Sequence, residues 1–466
     1  MPVKDLFSNE LKVVNIGLES FKETLDKVDV KSVSIDFRPP LISDENAFMT
    51  ISKHKSIIEK ANKKALSRII NGKPNLIGMA AAIDVIPAMR KDLILHAGPP
   101  VTWERMCGPM RGGVCAALMY EGQAKNYKEA EKLAASGRIK YSPCHEHSTV
   151  GPMAGVVSPS MPVFIIKNEE YGNLAYCTMN EGLGKVLRYG AYSEEVIEKL
   201  KWMEKYLYPT LDKAIKHIGK IDLKNIMAQA LHMGDEVHNR NRAATSLLFR
   251  ILAPAIIKTS GNSDSAIKAL EFINGNDHFF LNLSMPACKA MLDAAMNIKF
   301  SSVVTVMARN GTDFGVRLAG TGDTWFTGTA PVPDALYFPG YTKDDANPDI
   351  GDSSITETNG VGGFAIGASP AIVQFVGGTT TDAITYTKQM YEITAGENNA
   401  FQIPYLNFRG SPTGIDVIKI VEKNILPFID TGVAHKNAGV GQIGAGVLSA
   451  PTEPFVKAFE GFVKTL

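Results

Sequence analysis

The 466-residue chain has few cysteines and no pair of them at metal-binding spacing. Its five cysteines, at positions 107, 115, 144, 177 and 288, form no C-x-x-C motif. An odd number without such a pair is typical of reduced thiols in a cytoplasm and argues against a zinc-ribbon site. We therefore expect a cytoplasmic protein.

The chain also lacks an excess of charge and a long apolar run. Its formal net charge is +1, which gives no reason to expect nucleic acid or an anionic membrane as a partner. The first ten residues include acidic side chains and no apolar segment, so no signal peptide is expected. No run of 18 uninterrupted apolar residues occurs, so no membrane-spanning helix is expected.

The apolar patterns predict an α/β protein with more than one core, because a chain of this length exceeds a single core. Residues 11–40 are typical of strand, helix and strand, the start of a βαβ unit. The apolar runs 75–87 and 92–100 are predicted to be buried strands of the same sheet. The predicted regions are a Rossmann-like α/β domain over 1–190, a helical region over 191–300, and a C-terminal α/β domain with glycine-rich loops over 301–466.

Two of the nine histidines lie in the segment SPCHEHSTVGPM, residues 142–153. His145 and His147 flank Glu146 among small residues, which let a backbone and a ligand approach each other closely. Histidine and glutamate are zinc ligands, but these histidines are two residues apart, unlike the one-turn spacing of H-E-x-x-H. The favoured interpretation is substrate contact or catalysis, with a metal site and a structural role as alternatives.

A second polar cluster is HMGDEVHNRNRAATSLLF, residues 232–249, which we interpret as helical. Helical spacing places His238 and Asn241 on the apolar face, and it places Asp235, His238 and Arg242 on one side. A buried polar group without a partner costs roughly 1–3 kcal/mol. The segment predicts either a buried hydrogen-bond network or a site wall that offers an acid, a base and a cation.

Several arginines stand beside glycines, a setting that favours binding of small anions. Arg105 and Arg111 flank a glycine-rich stretch, and Arg309 precedes Asn310-Gly311, the predicted turn of a β-hairpin. In FVGGTTTDAITYT, residues 375–387, two glycines lead into a helix start whose free backbone amides could receive an anion. Ordinary N-capping is the alternative for that helix start.

Five long segments together resemble one known family over nearly the whole chain. The segments are VTWERMCGPMRGGVCAALMYEG, YSPCHEHSTVGPMAGVVSPSMPVF, HMGDEVHNRNRAATSLLFRILAP, MNIKFSSVVTVMARNGTDFGVRLAG and ILPFIDTGVAHKNAGVGQIGAG. They resemble the YlbE/AllG family, long described as a domain of unknown function, which also contains YahG-type paralogues. The resemblance implies a subunit of oxamate carbamoyltransferase, working with an FdrA-type subunit and a third operon protein in purine or allantoin nitrogen catabolism.

The reaction that the resemblance implies is carbamoyl transfer between carbamoyl phosphate and oxamate, giving oxalurate and phosphate. Its site must hold two anions, stabilise a tetrahedral oxyanion and remove a proton from nitrogen. The sequence contains no S-x-R-T-R phosphate loop of the aspartate and ornithine carbamoyltransferases. A different scaffold is therefore expected for the same reaction.

For this carbamoyl transfer, His145 or His238 is the predicted general base. Glu146 or Asp235 is the carboxylate predicted to orient that base. His147 completes the predicted catalytic set. The arginines would hold anions, and Asn310 or the amides near the paired glycines would face the oxyanion. The predicted substrate-binding residues are Arg105, Arg111, Arg240, Asn241, Arg309, Asn310, Gly377, Gly378 and Thr379.

The sequence assigns no cofactor and no metal ligand, and two other functions stay open. One is a metal-dependent amidohydrolase of a small anionic amide, which would use the histidine and carboxylate set with a divalent metal. The other is a non-catalytic scaffold subunit that completes a site held by a partner. Small anionic substrates are expected in each enzymatic case, and assembly of the chain with copies of itself is compatible with all three functions.

Overall fold

The computed structural model describes residues 10–17, 19–35, 37–372 and 377–466, which form helices and strands of the predicted α/β class. The first elements along the chain form a parallel βαβ unit made of β1 (Lys12–Ile16), α1 (Glu19–Asp26) and β2 (Lys31–Ile35). This confirms the predicted beginning of the chain.

The strands that follow do not extend this unit. β3 (Pro74–Ala81) pairs antiparallel with β6 (Pro162–Asn168), whereas β4 (Leu93–His96) pairs in parallel with β5 (Lys140–Pro143). The prediction of one shared sheet is wrong, and the described residues contain no doubly wound parallel sheet of the Rossmann type. An apolar run indicates that a strand is buried, but its partner is set by tertiary packing.

The other elements before residue 190 surround these strands. A four-stranded antiparallel sheet has the order β7-β6-β3-β8. The remaining bounds are α2 (Glu45–Asn71), α3 (Ala82–Val85), α4 (Gly108–Tyr120), α5 (Tyr127–Ala134), β7 (Leu174–Thr178) and, further along, β8 (Ile221–Asp222).

The chain between residues 191 and 300 is mostly helical, as its pattern predicts, while the two domain boundaries stay predictions. The helices are α6 (Glu194–Trp202), α7 (Tyr208–Ile218), α8 (Leu223–His232), α9 (Arg242–Ser260), α10 (Asp264–Asn274) and α11 (Leu281–Asp293). By length and composition alone, α9 could cross a membrane. It packs against α7, α8 and α10, and its Leu248, Leu252 and Ile256 belong to the largest apolar core. Apolar side chains of α9 are therefore buried against other helices of the protein.

The C-terminal part begins with the predicted hairpin. β9 (Val304–Asn310) and β10 (Asp313–Leu318) are antiparallel, and Gly311 has φ +80° at the turn, which confirms the Asn-Gly signal. The later elements are β11 (Phe326–Thr329), β12 (Asp334–Tyr337), β13 (Ile350–Gly351), α12 (Ile355–Thr358), α13 (Thr380–Met390), β14 (Thr394–Ile403), β15 (Arg409–Ile415), α14 (Val417–Lys423), β16 (Phe428–Ala434), β17 (Gln442–Ser449) and α15 (Thr452–Val463).

A polar segment, residues 349–359, runs through the interior and positions much of the site. Its sequence is DIGDSSITETN, and each of these residues is buried. Its short helix α12 contacts α11, β9 and β15, which belong to different parts of the chain. Because buried polar groups require partners, this segment is where interior hydrogen bonds and ion pairs concentrate.

Candidate functional site

An open cleft of about 820 Å³ lies beside the CHEH segment. Segments that are distant in sequence form its walls. Its histidine and its charged residues are His145, Glu146, Lys289, Asp293, Arg317 and Asp323. The structure thus brings one predicted histidine and its neighbouring glutamate together with two cations that the sequence analysis did not single out.

The CHEH residues form a single 3₁₀ turn at the end of β5. Because this turn does not alternate like a strand, His145 points inward, Glu146 is exposed and His147 is half-buried. His147 lies 2.7 Å from the carbonyl of Pro87 and 2.9 Å from the Ser142 hydroxyl, so both ring nitrogens already have partners. Its catalytic role stays a prediction, and its contacts are those of a residue that fixes the turn.

His145 faces a buried carboxylate that the sequence analysis did not name. Its Nε2 lies 3.4 Å from Asp352 Oδ1, and both side chains are fully buried. Asp352 is held in place because its two oxygens accept hydrogen bonds from the amides of Gly98 (2.8 Å) and Gly151 (3.0 Å). Burial lowers the pKa of His145 and outweighs the opposing attraction of Asp352, so the ring is neutral near pH 7.

Glu146 and Asp235, the two carboxylates predicted to orient a base, accept hydrogen bonds from other residues. Glu146 accepts a hydrogen bond from Trp325 Nε1 at 3.2 Å at the rim of the cleft. Asp235 accepts from the amide of Ala244 at 2.9 Å and caps the first turn of α9. The carboxylate beside a candidate base is therefore Asp352, 207 residues from His145 along the chain.

Two buried cations line the cleft, and each is paired with a carboxylate. The side chains of Lys289 and Arg317 are each only 1% exposed. Lys289 Nζ lies 2.8 Å from Asp293 Oδ1. Arg317 contacts Asp323, whose side chain is 87% exposed, and its guanidinium lies 5.5 Å from the centre of the Trp325 ring. An exposed carboxylate on a buried guanidinium is a partner that the carboxylate or phosphate of a substrate could replace.

The second polar cluster is not one helix, so that prediction is wrong. α8 ends at His232, α9 begins at Arg242, and a loop joins them. Glu236 explains the break, because its two oxygens accept the backbone amides of His238 and Arg240. Side-chain to backbone bonds of this kind compete with helical hydrogen bonds.

His238 lies in a buried cluster with two carboxylates from distant segments. Its Nδ1 is 2.8 Å from Glu357 Oε1 and 2.8 Å from Asp430 Oδ1. Burial opposes a charge on the ring, but the two carboxylates outweigh it and raise the pKa of His238 well above its ordinary value. A ring that keeps its proton is a poor base, so between the two predicted histidines the geometry favours His145 as base.

Arg309 and Asn310 are engaged inside the protein. Arg309 is fully buried, and its Nε and Nη2 donate to the two oxygens of Asp349 at 2.6 and 3.2 Å. Its Nη1 donates to the carbonyl of Gly351 at 2.7 Å. Asn310 donates to the carbonyl of Pro99 at 2.9 Å, and its Oδ1 accepts amides within the hairpin turn. These contacts stabilise the fold, and the predicted contacts to substrate stay untested.

The other predicted arginines lie apart from the cleft. Arg105 is exposed and lies 2.7 Å from Asp313. Arg111 donates to the carbonyl of Glu104 at 2.9 Å and stacks on Trp103. Neither of these two arginines lines the 820 Å³ cleft.

Arg240 and Asn241 line a smaller pocket of about 340 Å³ together with the buried His278. Burial, together with the neighbouring cations of Arg188 and His238, lowers the pKa of His278 to about 3. Arg240 Nε lies 3.4 Å from Asp235, and Asn241 donates to the backbone carbonyl of His238. This pocket is a second place where an anion could bind.

The predicted glycine-rich helix start is an ordinary N-cap. Thr379 accepts a hydrogen bond from the amide of Asp382, and Asp382 accepts from the amide and hydroxyl of Thr379. Gly377 and Gly378 have φ of +91° and +95° and lead the chain into this capping box. A role for these three residues in binding an anion stays a prediction.

The residues that the sequence analysis missed carry a signal that can be recognised in retrospect. Lys289 interrupts the apolar helix MPACKAML, and a lysine at such a position is rarely buried unless it is paired. Asp430 stands inside the apolar strand FIDTGVA, and Asp352 and Glu357 belong to the buried polar segment. No such pattern reveals which of these residues meet in space.

Comparison with known proteins places the chain in a family. Residues 139–353 match the model of the family described as oxamate carbamoyltransferase subunit AllG. The chain is 48% identical to the uncharacterized protein YahG of Escherichia coli K12 over 464 residues, with 98% of both chains covered. It is 42% identical to the oxamate carbamoyltransferase subunit AllG of the same strain over 412 residues, covering 88% of this chain and 98% of AllG.

A solved structure agrees with this placement. The crystal structure of a conserved protein of unknown function from Enterococcus faecalis V583 has a TM-score of 0.87 to this chain at 49% identity, covering 88% of this chain and 99% of that one. The chain belongs to the AllG family, which confirms the resemblance found in the sequence. The histidine and the five charged residues of the cleft all fall within the matched range 139–353.

Proposed function

We propose that this chain is a subunit of a cytoplasmic carbamoyltransferase acting on carbamoyl phosphate and oxamate, and that the cleft beside His145 is its reacting site. The observation that carries the proposal is that a neutral histidine and two buried cations line one cleft, and that a fixed carboxylate, Asp352, lies beside the histidine. Family membership supports the reaction class, because AllG is described as a subunit of that enzyme.

The cleft suits the charge and size of the substrates. Carbamoyl phosphate and oxamate are small anions, and Lys289 and Arg317 supply two cations with very little exposure to water. An ionic interaction is stronger where water is excluded. A volume of about 820 Å³ is large enough for both substrates together, since ligand pockets span about 300–1,000 Å³.

The proposed step is attack by the amide nitrogen of oxamate on the carbonyl carbon of carbamoyl phosphate. A carbon–nitrogen bond forms, and the carbon–oxygen bond to phosphate breaks with its electron pair leaving on the phosphate. The proton released from nitrogen passes to His145 and then to the departing phosphate. Asp352 stabilises the imidazolium that forms in between, in the manner of other histidine–carboxylate pairs. The reverse sequence is phosphorolysis of oxalurate.

The proposal includes partner subunits. AllG carries the word subunit in its description, so we propose an assembly with an FdrA-type subunit and a third operon protein. The cleft is open, and a partner could close it and exclude water from the reaction.

The test is phosphate release from carbamoyl phosphate in the presence of oxamate, with the chain alone and with its co-expressed operon partners. We expect oxamate-dependent release that falls by about 10²-fold or more in His145→Asn, the range of a lost general base. Arg105→Gln, at an exposed residue outside the cleft, is the matched control and should keep the wild-type rate.

Release by the assembly that is unchanged in folded His145→Asn would reject the site and favour the scaffold function. Absence of oxamate-dependent release with all partners present and folded would reject oxamate as the acceptor. The melting temperature of each variant separates loss of activity from loss of fold.

A further inference from the structure

We propose that His238, Glu357 and Asp430 bind a divalent transition-metal ion that ties three distant segments of the chain together. One ligand atom from each residue lies within 4.8 Å of the other two. The segments are the loop between α8 and α9, the helix α12 and the strand β16. The inference is independent of the proposed carbamoyl transfer.

Two of the three distances between these side chains are close to the edges of a metal coordination shell. The distances from His238 Nδ1 to the two carboxylate oxygens are both 2.8 Å. Bonds of about 2.1 Å to one ion place neighbouring ligands about 3.0–3.4 Å apart in octahedral or tetrahedral geometry. Each of the two edges at His238 would lengthen by a few tenths of an ångström around an ion, which would take the place of the proton on Nδ1.

Asp430 provides a second and independent observation. Its carboxylate is fully buried, and neither oxygen has a hydrogen-bond donor of good geometry among the described residues. The single Nδ1–H of His238 is directed to Glu357, although Asp430 Oδ1 lies equally near. A buried carboxylate without donors is costly, and a bound cation is one of the few ways to satisfy it.

The surroundings hold two of the ligands in a fixed orientation, as in established metal sites. Glu357 accepts hydrogen bonds from the hydroxyl of Thr356 at 2.9 Å and from the amide of Gly363 at 2.8 Å. Glu236 accepts the amide of His238 at 2.5 Å and so fixes the loop that carries the ring.

The ligand set indicates the kind of ion and its role. One imidazole nitrogen with two carboxylate oxygens suits zinc or manganese, whereas magnesium and calcium favour oxygen ligands alone. His238 is 2% exposed and does not line the 820 Å³ cleft, so the ion would stabilise the fold and would not meet substrate there.

The test begins with the metal content of the full chain, purified without chelator and measured by plasma mass spectrometry. We expect about one zinc or manganese ion per chain, and uptake of cobalt after chelation should give visible absorption bands of a nitrogen–oxygen site. Asp430→Asn should lower metal content by more than about tenfold. Asp235→Asn, a buried aspartate of the same loop outside the ligand set, is the matched control and should keep the ion.

The proposal is overturned if the chain is purified without metal and neither binds zinc, manganese or cobalt nor melts at a higher temperature with them. It is also overturned if Asp430→Asn retains a full complement of the ion. Should Asp430→Asn fail to fold, the cobalt spectrum and the melting temperature of the wild-type chain before and after reloading decide the question alone.

Discussion

Replacing Arg309 with methionine should destabilise the protein strongly and act on activity only through stability. The guanidinium is fully buried and is the hydrogen-bond donor to Asp349 Oδ2, at 2.6 Å. Methionine has no guanidinium, so Asp349 Oδ2 loses its hydrogen-bond donor. The carbonyl of Gly351 loses the hydrogen bond from Arg309 Nη1. Breaking a buried ion pair by removing one partner costs about 3–5 kcal/mol. We therefore expect Arg309→Met to lower the free energy of unfolding by about that amount.

The assay is urea-induced unfolding of the single variant and of the double variant Arg309→Met/Asp349→Asn. The double variant should recover part of the lost free energy of unfolding, because it removes the charge of Asp349 that Arg309→Met leaves unpaired. Arg105→Gln breaks an exposed pair, 55% exposed on the arginine side, and should cost at most about 1 kcal/mol. A stable Arg309→Met that has lost oxamate-dependent phosphate release would refute this reasoning and restore Arg309 as an anion-binding residue.

Two further predictions concern Asp235 and Thr379. Burial raises the pKa of Asp235 to about 6, so the folded state favours the protonated form and this residue's contribution to stability falls as the pH rises from about 4 to about 6. The free energy of unfolding of Asp235→Asn should therefore rise relative to that of wild type by up to about 3 kcal/mol between about pH 4 and about pH 7. The measurement is the difference in melting temperature between the two proteins as a function of pH. A difference that does not change with pH would contradict this prediction. Thr379→Ala removes the N-cap of α13 and should cost about 1 kcal/mol in unfolding experiments without changing phosphate release, whereas a loss of release in a stable variant would support the anion role.

Local features of the structure could be predicted from the sequence. The Asn310-Gly311 turn, the N-cap at Thr379 and the helical run after residue 190 each depend on neighbouring residues only. The CHEH segment borders the 820 Å³ cleft, and the role of His145 there stays a prediction.

Features that depend on distant contacts could not be predicted. The pairing of β3 with β6 joins residues about ninety positions apart, and periodicity alone does not contain that information. Glu236 breaks the expected helix through bonds to the backbone of His238 and Arg240, an effect that a count of apolar positions does not detect. Asp352 lies beside His145 while the amides of Gly98 and Gly151 hold its carboxylate, and these residues are far apart in the sequence.

The most direct test of the central claim is a crystal structure of the chain with oxamate, in complex with its partners if phosphate release requires them. We expect oxamate in the 820 Å³ cleft, with its carboxylate within hydrogen-bond distance of Lys289 or Arg317 and its amide nitrogen beside His145. Oxamate bound instead at Arg240 and Asn241 in the smaller pocket, or absent from the cleft at saturating concentration, would contradict it.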